Sequence, residues 1–171
     1  MLEIRQEQPE DHQAIRLVND RAFGRPEEAD IVETLRARCP DLLSLVAEVE
    51  GRIVGHVLFS PATIEGSGGV RHGMGLAPMA VLPEFQRQGI GSSLARTGLE
   101  MLRAGGCPFV IVLGHPDYYP RFGFEPASRY GICSPWPDIP AEAFLVLFFG
   151  DPPASDVSGT ARYRPEFDEA V

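Results

Sequence analysis

The chain has 171 residues, 44% of them hydrophobic and 23% charged, enough to bury one domain core without disulfides or a structural metal. Its net charge of −9 is uneven: residues 1–50 hold 6 basic and 12 acidic side chains, whereas residues 51–149 hold 7 of each. No basic block exists to face phosphates, which excludes nonspecific nucleic-acid binding, and no apolar run approaches the length of a membrane span.

In chain order, Leu2–Gln6 alternates apolar and polar residues like a short strand. Pro9-Glu10-Asp11 opens a helix with Ile15, Val18 and Ala22 on one face, its first turn acidic as the helix dipole favours. A second helix starts at Pro26, with acids early, Ile31 and Leu35 on one face, and Arg36 and Arg38 late. Leu42–Val49 and Ile53–Ile64 read as strands joined by a Glu50-Gly51 hairpin turn, and Gly73–Val81 as a third. Gly91–Ala104 reads as a helix with Leu94, Met101 and Leu102 near one face, stopped by Gly105-Gly106. Phe109–Leu113 is a continuous apolar strand, Asp117–Phe122 a short helical turn, and Phe144–Phe149 another strand. Residues 150–160 read as a loop and Arg162–Val171 as a final strand or a tail. The order gives an α/β (mixed α+β) chain with one domain over 1–150 and a C-terminal loop and tail over 151–171.

The three cysteines, Cys39, Cys107 and Cys133, are odd in number and far apart, which argues against a disulfide framework and against metal knuckles. The N-terminus lacks a signal-peptide layout. A reduced, cytoplasmic protein without a bound metal is expected.

The chemistry is concentrated after the third of those strands. Leu76 to Val81 runs into Pro83-Glu-Phe-Gln86-Arg87-Gln88-Gly89-Ile90-Gly91-Ser92, a glycine loop that opens a helix. Glycines let the backbone approach an anion, and the helix start supplies free amides and partial positive charge. Arg87 adds a cation. Pro78 removes one ladder donor inside the preceding strand, which predicts a bulge or splayed edge. A P-loop is excluded because it requires a lysine and all fifteen basic residues are arginine. A Rossmann loop is excluded because the glycines are GxG and follow a run of antiparallel-looking strands.

Gln86-Arg87-Gln88-Gly89-Ile90-Gly91 resembles the Q/R-x-x-G-x-G/A signature of the GCN5-related N-acetyltransferases (GNAT). Tyr119-Pro-Arg-Phe-Gly-Phe124, placed 28 residues after Gly91, is similar to a second element of that family. The text from Leu113 through Ala127, and the tail from Gly159 to Phe167, also resemble a bacterial subgroup of its N-acetyltransferases. The resemblance implies a GNAT-like fold with a splayed central sheet flanked by helices. It implies acetyl-CoA as co-substrate and a small-molecule or peptide amine as acceptor, with direct attack in a ternary complex. Homodimers are frequent among such relatives.

Residue by residue, Met79, Ala80 and Val81 would hold the pantetheine arm, and the loop of Gln86, Arg87, Gln88, Gly89, Ile90, Gly91 and Ser92 the pyrophosphate. Tyr119 would protonate the departing thiolate, a role that suits a phenol protonated at neutral pH. Tyr118 would pack or line the pocket. The base departs from the family pattern: Phe109–Leu113 has no carboxylate, and Gly114-His115-Pro116 replaces the usual asparagine region. His115, Glu33 on the second helix, and a water chain are the alternatives, with His56 and His72 ranking lower. A second reading is a catalytically inactive CoA-binding or sensing module of the same fold.

Overall fold

The alternation in Leu2–Gln6 becomes β1. In the computed structural model, which describes residues 1–150 and 157–170, a 3-10 turn at Pro9–Asp11 then leads into α1 (His12–Phe23) and α2 (Glu27–Arg38). There follow β2 (Leu43–Val49), β3 (Arg52–Gly66), β4 (Gly69–Val81), α3 (Ile90–Ala104) and β5 (Phe109–Leu113). The short β6 (Glu125–Pro126) and β7 (Ile132–Cys133) precede β8 (Phe144–Phe148) and β9 (Gly159–Arg162). Parallel and antiparallel pairs are both present, so the sheet is mixed, and the chain is the mixed α/β chain that the element order predicts. No helix among the described residues is long and apolar enough to cross a membrane. The chain divides into two compact units, and β3 and β4 each contribute to both.

The first unit comprises residues 1–60, 77–101 and those from 165 onward. Its β1, β2 and β3 are antiparallel neighbours, with Ile4 opposite Ala47 and Val46 opposite His56. The predicted hairpin turn is present, with Glu50 and Gly51 both at positive φ (49° and 81°), as a type I′ turn requires. Close glycine contacts seat α3 on β3. A Cβ on Gly98 would lie 2.2 Å from the Phe59 ring, and one on Gly55 would meet Leu94 and Ile90 at 3.0 and 3.2 Å. This approach turns α3 so that Ile90, Leu94, Ala95, Gly98 and Leu99 are buried, while Met101 and Leu102 are only half-buried. In α2 likewise, Ala29, Val32 and Leu35 face the core and Ile31 is half-exposed.

Arginine–carboxylate pairs tie the elements of this unit together. Arg5 of β1 makes a two-pronged contact with Asp11 (2.7 and 3.1 Å) and also reaches Glu48. Arg36 of α2 grips Glu7 at 2.8 and 3.1 Å. Arg16 of α1 joins Asp30 and Glu33 of α2 at 2.9 and 2.8 Å.

The second unit comprises residues 61–76 and 102–164. Here β4 and β5 run parallel from Met74/Val110 to Leu76/Val112, and the pairing stops there, just before Ala77-Pro78. β8 pairs antiparallel with β5 on one edge and with β6 on the other. Phe109 and Phe144 are fully buried, each stabilising the fold by roughly 2–3 kcal/mol.

Two features differ from the sequence expectation. The segment read as a loop already forms strand at Gly159, where β9 pairs with Thr63–Glu65 of β3 and with β7, and the residues from Pro165 form a 3-10 helix. Gly159 is there for contact rather than for a turn: a Cβ on it would sit 2.2 Å from the Glu65 carbonyl oxygen. Residues 151–156 of the expected loop lie outside the described residues.

Candidate active site

In the first unit, β4 ends at Val81 and a 3-10 turn, Pro83–Phe85, leads to the glycine loop. Arg87 and Gly89 both adopt positive φ, 62° and 84°. For arginine this costs roughly 1–2 kcal/mol and persists only where the surroundings impose it. A Cβ on Gly89 would meet nothing within 4 Å, so backbone conformation rather than room selects glycine there. The Gln86 side chain donates to the Val81 carbonyl at 2.9 Å, and that of Gln88 to the Glu84 carbonyl at 3.3 Å. The first ties the loop to the end of β4 and the second to the Pro83–Phe85 turn.

Ser93 donates its backbone N–H to the Gly89 carbonyl at 3.0 Å, the start of the helical ladder. By helix geometry the preceding amides have no intrahelical acceptor, and the dipole makes their surroundings favourable to an anion. Arg87, Gln88 and Gly89 are exposed, Gly91 and Ser92 half-buried, and Ile90 is buried against β3. Along the strand, Met79 and Val81 are half-buried and Ala80 is buried. The turn before the loop is anchored by Glu84, which accepts from Arg21 at 2.8 and 3.0 Å and from Arg52 at 3.1 Å. The Arg21 hydrogen bonds hold the Glu84 carboxyl below its ordinary range.

Two proton-handling candidates also lie in this unit. Glu33 is exposed on α2 and engaged by Arg16. His56 is sealed in the core: Asn19 donates to its Nδ1 at 3.2 Å, which leaves the proton on Nε2 to be given to Ser44 Oγ at 2.9 Å. Burial pushes its pKa down to about 4, so the ring is neutral at pH 7 and out of reach of solvent.

In the second unit, β5 ends beside Gly114 and His115. The His115 carbonyl accepts from the Tyr118 and Tyr119 amides at 3.1 and 3.4 Å, opening the turn Tyr119–Phe122, which Gly123 (φ 100°) closes. The His115 side chain is exposed. Tyr119 lies over Gly114, where a Cβ would come within 2.2 Å of its ring. Edge-on contacts from Tyr118 (5.1 Å) and Phe124 (5.7 Å) fix the phenol. Burial, and then the Tyr118 hydroxyl, push the Tyr119 pKa up to about 12, so it keeps its proton across the neutral range. β5 reads Phe-Val-Ile-Val-Leu, with no carboxylate.

Sequence reading passed over two aromatic residues of this unit, Trp136 and Tyr163. Tyr163 is buried and stacks on Trp136. The available signal was the alternation Arg162-Tyr163-Arg164, which turns the tyrosine inward between two arginines.

Known proteins resemble this chain over the same regions. The model of the acetyltransferase (GNAT) domain matches residues 3–127. The uncharacterized N-acetyltransferase YjhQ of Escherichia coli K12 is 50% identical over 131 residues, 75% of this chain and 72% of that protein. YhbS of the same strain, likewise an uncharacterized N-acetyltransferase, is 35% identical over 165 residues, 96% and 97% of the two chains. The crystal structure of E. coli YhbS in complex with CoA superposes with a TM-score of 0.90 at 34% identity, covering 98% of this chain and 92% of that one. A GNAT acetyltransferase from Brucella melitensis in complex with acetyl-CoA gives 0.80 at 37% identity, covering 98% and 99%. Loop, helix and sheet thus agree with sequence kinship over most of the chain, which belongs to the GCN5-related N-acetyltransferase (GNAT) family.

Proposed function

We propose that the chain transfers an acetyl group from acetyl-CoA to a primary amine by direct attack in a ternary complex. The observation that carries the reading is the turn from Arg87 to Gly91, in which Arg87 and Gly89 take positive φ at the start of α3 and which Gln86 ties to Val81. Such a turn presents successive amides to a pyrophosphate, with Arg87 beside them. Kinship with YhbS and the Brucella protein, whose crystal structures hold CoA and acetyl-CoA, supports the same ligand here. Met79, Ala80 and Val81 would hold the pantetheine arm, and Gln86 to Ser92 the pyrophosphate.

In the reaction, the free amine attacks the thioester carbonyl, the C–S bond breaks, and the sulfur leaves as a thiolate. Tyr119 donates its phenolic proton to that sulfur, the attacking nitrogen releases its surplus proton to solvent as the amide forms, and solvent returns a proton to the phenolate. An alkylammonium is only about 0.1% free amine at pH 7, so its proton must be removed first. His115, Glu33 or a water chain is assigned this step. The three unpaired thiols and the use of acetyl-CoA fit a cytoplasmic setting.

The β5 strand without a carboxylate favours one other reading, a module that binds CoA without turnover. An amine panel incubated with acetyl-CoA, read as release of free thiol, separates the two. The proposal expects thiol release that depends on at least one amine. CoA binding with no release on any amine would favour the silent module, and no binding at saturating CoA would remove both.

A further inference from the structure

Where β4 and β5 stop pairing, Tyr163 takes over. It follows β9 and lies beyond the residues matched by the family model. Its hydroxyl donates to the Leu76 carbonyl at 3.2 Å and stands 3.4 Å from the Ile111 carbonyl, one acceptor from each strand. Leu76 belongs to the last pair of the β4–β5 ladder and Ile111 to the pair before it. A carbonyl oxygen has two lone pairs and can accept from a further donor beside its ladder partner, and such a donor at the end of a parallel ladder holds the last pairs in register. The phenol supplies that donor.

The surrounding residues are shaped to admit the ring. A Cβ on Gly75 would come within 2.5 Å of Tyr163 Cε1, so only glycine lets the ring lie against β4. Trp136 stacks on the ring at 5.7 Å and 25°. Burial, and then the charge of Tyr119, raise the Tyr163 pKa well above its ordinary value, so the hydroxyl stays a donor at every working pH. The same effect puts Tyr163 within electrostatic reach of Tyr119.

We infer that Tyr163 is a positioning residue for acyl-CoA: by bridging the Leu76 and Ile111 carbonyls it pins the point where β4 and β5 part. Through the chain it thereby sets the β4 residues that follow, Met79 to Val81. The inference rests on the CoA-binding reading above.

Tyr163→Phe tests it, because the ring and its contacts with Gly75 and Trp136 remain while the hydroxyl is lost. Binding of CoA to the purified wild-type and Y163F proteins is measured by calorimetry, below the thermal midpoint of the variant. Emission from Trp136, the single tryptophan of the chain, checks that the local fold is kept. The expected result is a Kd for CoA, and a KM for acetyl-CoA, weaker by about tenfold, the worth of one net hydrogen bond. kcat stays within about twofold, because the phenol does not touch the reacting atoms. A variant that is merely less heat-stable, with Kd and KM unchanged, overturns the positioning role while leaving CoA binding intact. A wild-type protein that binds no CoA overturns both the inference and the reading beneath it.

Discussion

Two tyrosines of one unit are buried to a similar degree and have different assignments, and the difference lies in what each hydroxyl faces. Tyr163 spends its proton on backbone carbonyls. Tyr119 is held by ring contacts and by Gly114, which fix the phenol without assigning its proton to the backbone. Tyr119→Phe keeps those contacts and removes only the donor. Its expected effect is a fall in kcat of about a hundredfold with CoA affinity nearly unchanged, the reverse of the Tyr163 pattern. Steady-state rates on the best amine, set beside a CoA titration, check it; an unchanged kcat removes the role. Tyr119 was legible in the sequence because it sits at a fixed spacing inside a motif. For Tyr163 the alternation with Arg162 and Arg164 signals burial only; its contacts are not legible, because Leu76, Gly75, Ile111 and Trp136 come from three distant stretches of chain that no local pattern links.

At the scale of elements, two glycines of the same helix region do different work. Gly98 has ordinary helical geometry but no room, since a Cβ there would enter the Phe59 ring. Gly89 has room but a φ of 84°. Gly98→Ala is therefore expected to cost about 1–3 kcal/mol through overpacking while CoA affinity holds at a temperature where the protein is folded. Gly89→Ala is expected to cost about 1 kcal/mol of stability and to weaken CoA binding more than Gly98→Ala does, because the strained turn itself presents the amides. Urea unfolding paired with CoA titration of both variants distinguishes them; equal losses of affinity would show that the turn has no special part.

The same glycines explain where element reading succeeded and where it slipped. The periodic α1 and the uninterrupted apolar run of β5 declare themselves through their apolar residues. The buried face of α3 is set instead by a side chain that Gly98 lacks, so Met101 and Leu102 look inward in sequence and are only half-buried. β6 and β7, two residues each, are too short to carry any period. β9 begins within a stretch whose Pro, Ser and Gly content reads as loop, because long-range pairing with β3 outweighs local composition.

For the molecule as a whole, pH is the variable that reads its buried charges in sequence. Unfolded His56 takes a proton below its ordinary pKa of 6.5, while folded His56 refuses it until about pH 4. The unfolded state thus binds more protons in that window, and stability is lost as pH falls from 6.5 toward 4, by up to about 3 kcal/mol. Asp11 and Glu7 act in a lower window. Hydrogen bonds from Arg5 depress the Asp11 carboxyl; at Glu7 burial is the largest single effect, and the Arg36 hydrogen bonds together with nearby positive charge outweigh it. Their contribution is complete above the ordinary carboxylate range and is lost as pH falls through and below it. Urea unfolding at steps from pH 7 to 4.5 should show the His56 slope in the wild type and its loss in His56→Gln. Parallel slopes in the two proteins would place the proton elsewhere. Net charge alone carried none of this, because the total of −9 does not record which acids are engaged by arginines across elements, as Asp11, Asp30, Glu33 and Glu7 are.

Those ion pairs have one further chemical property. Every basic residue in the sequence is arginine, so every side-chain cation in the pairs is a guanidinium. A lysine that slips from its partner exposes an amine, which a thioester can acylate, erasing the charge for good. A guanidinium stays protonated and is no nucleophile in water near neutrality. A protein that meets acetyl-CoA is thereby spared acylation of these pairs, and the contacts joining β1, α1 and α2 keep their charge.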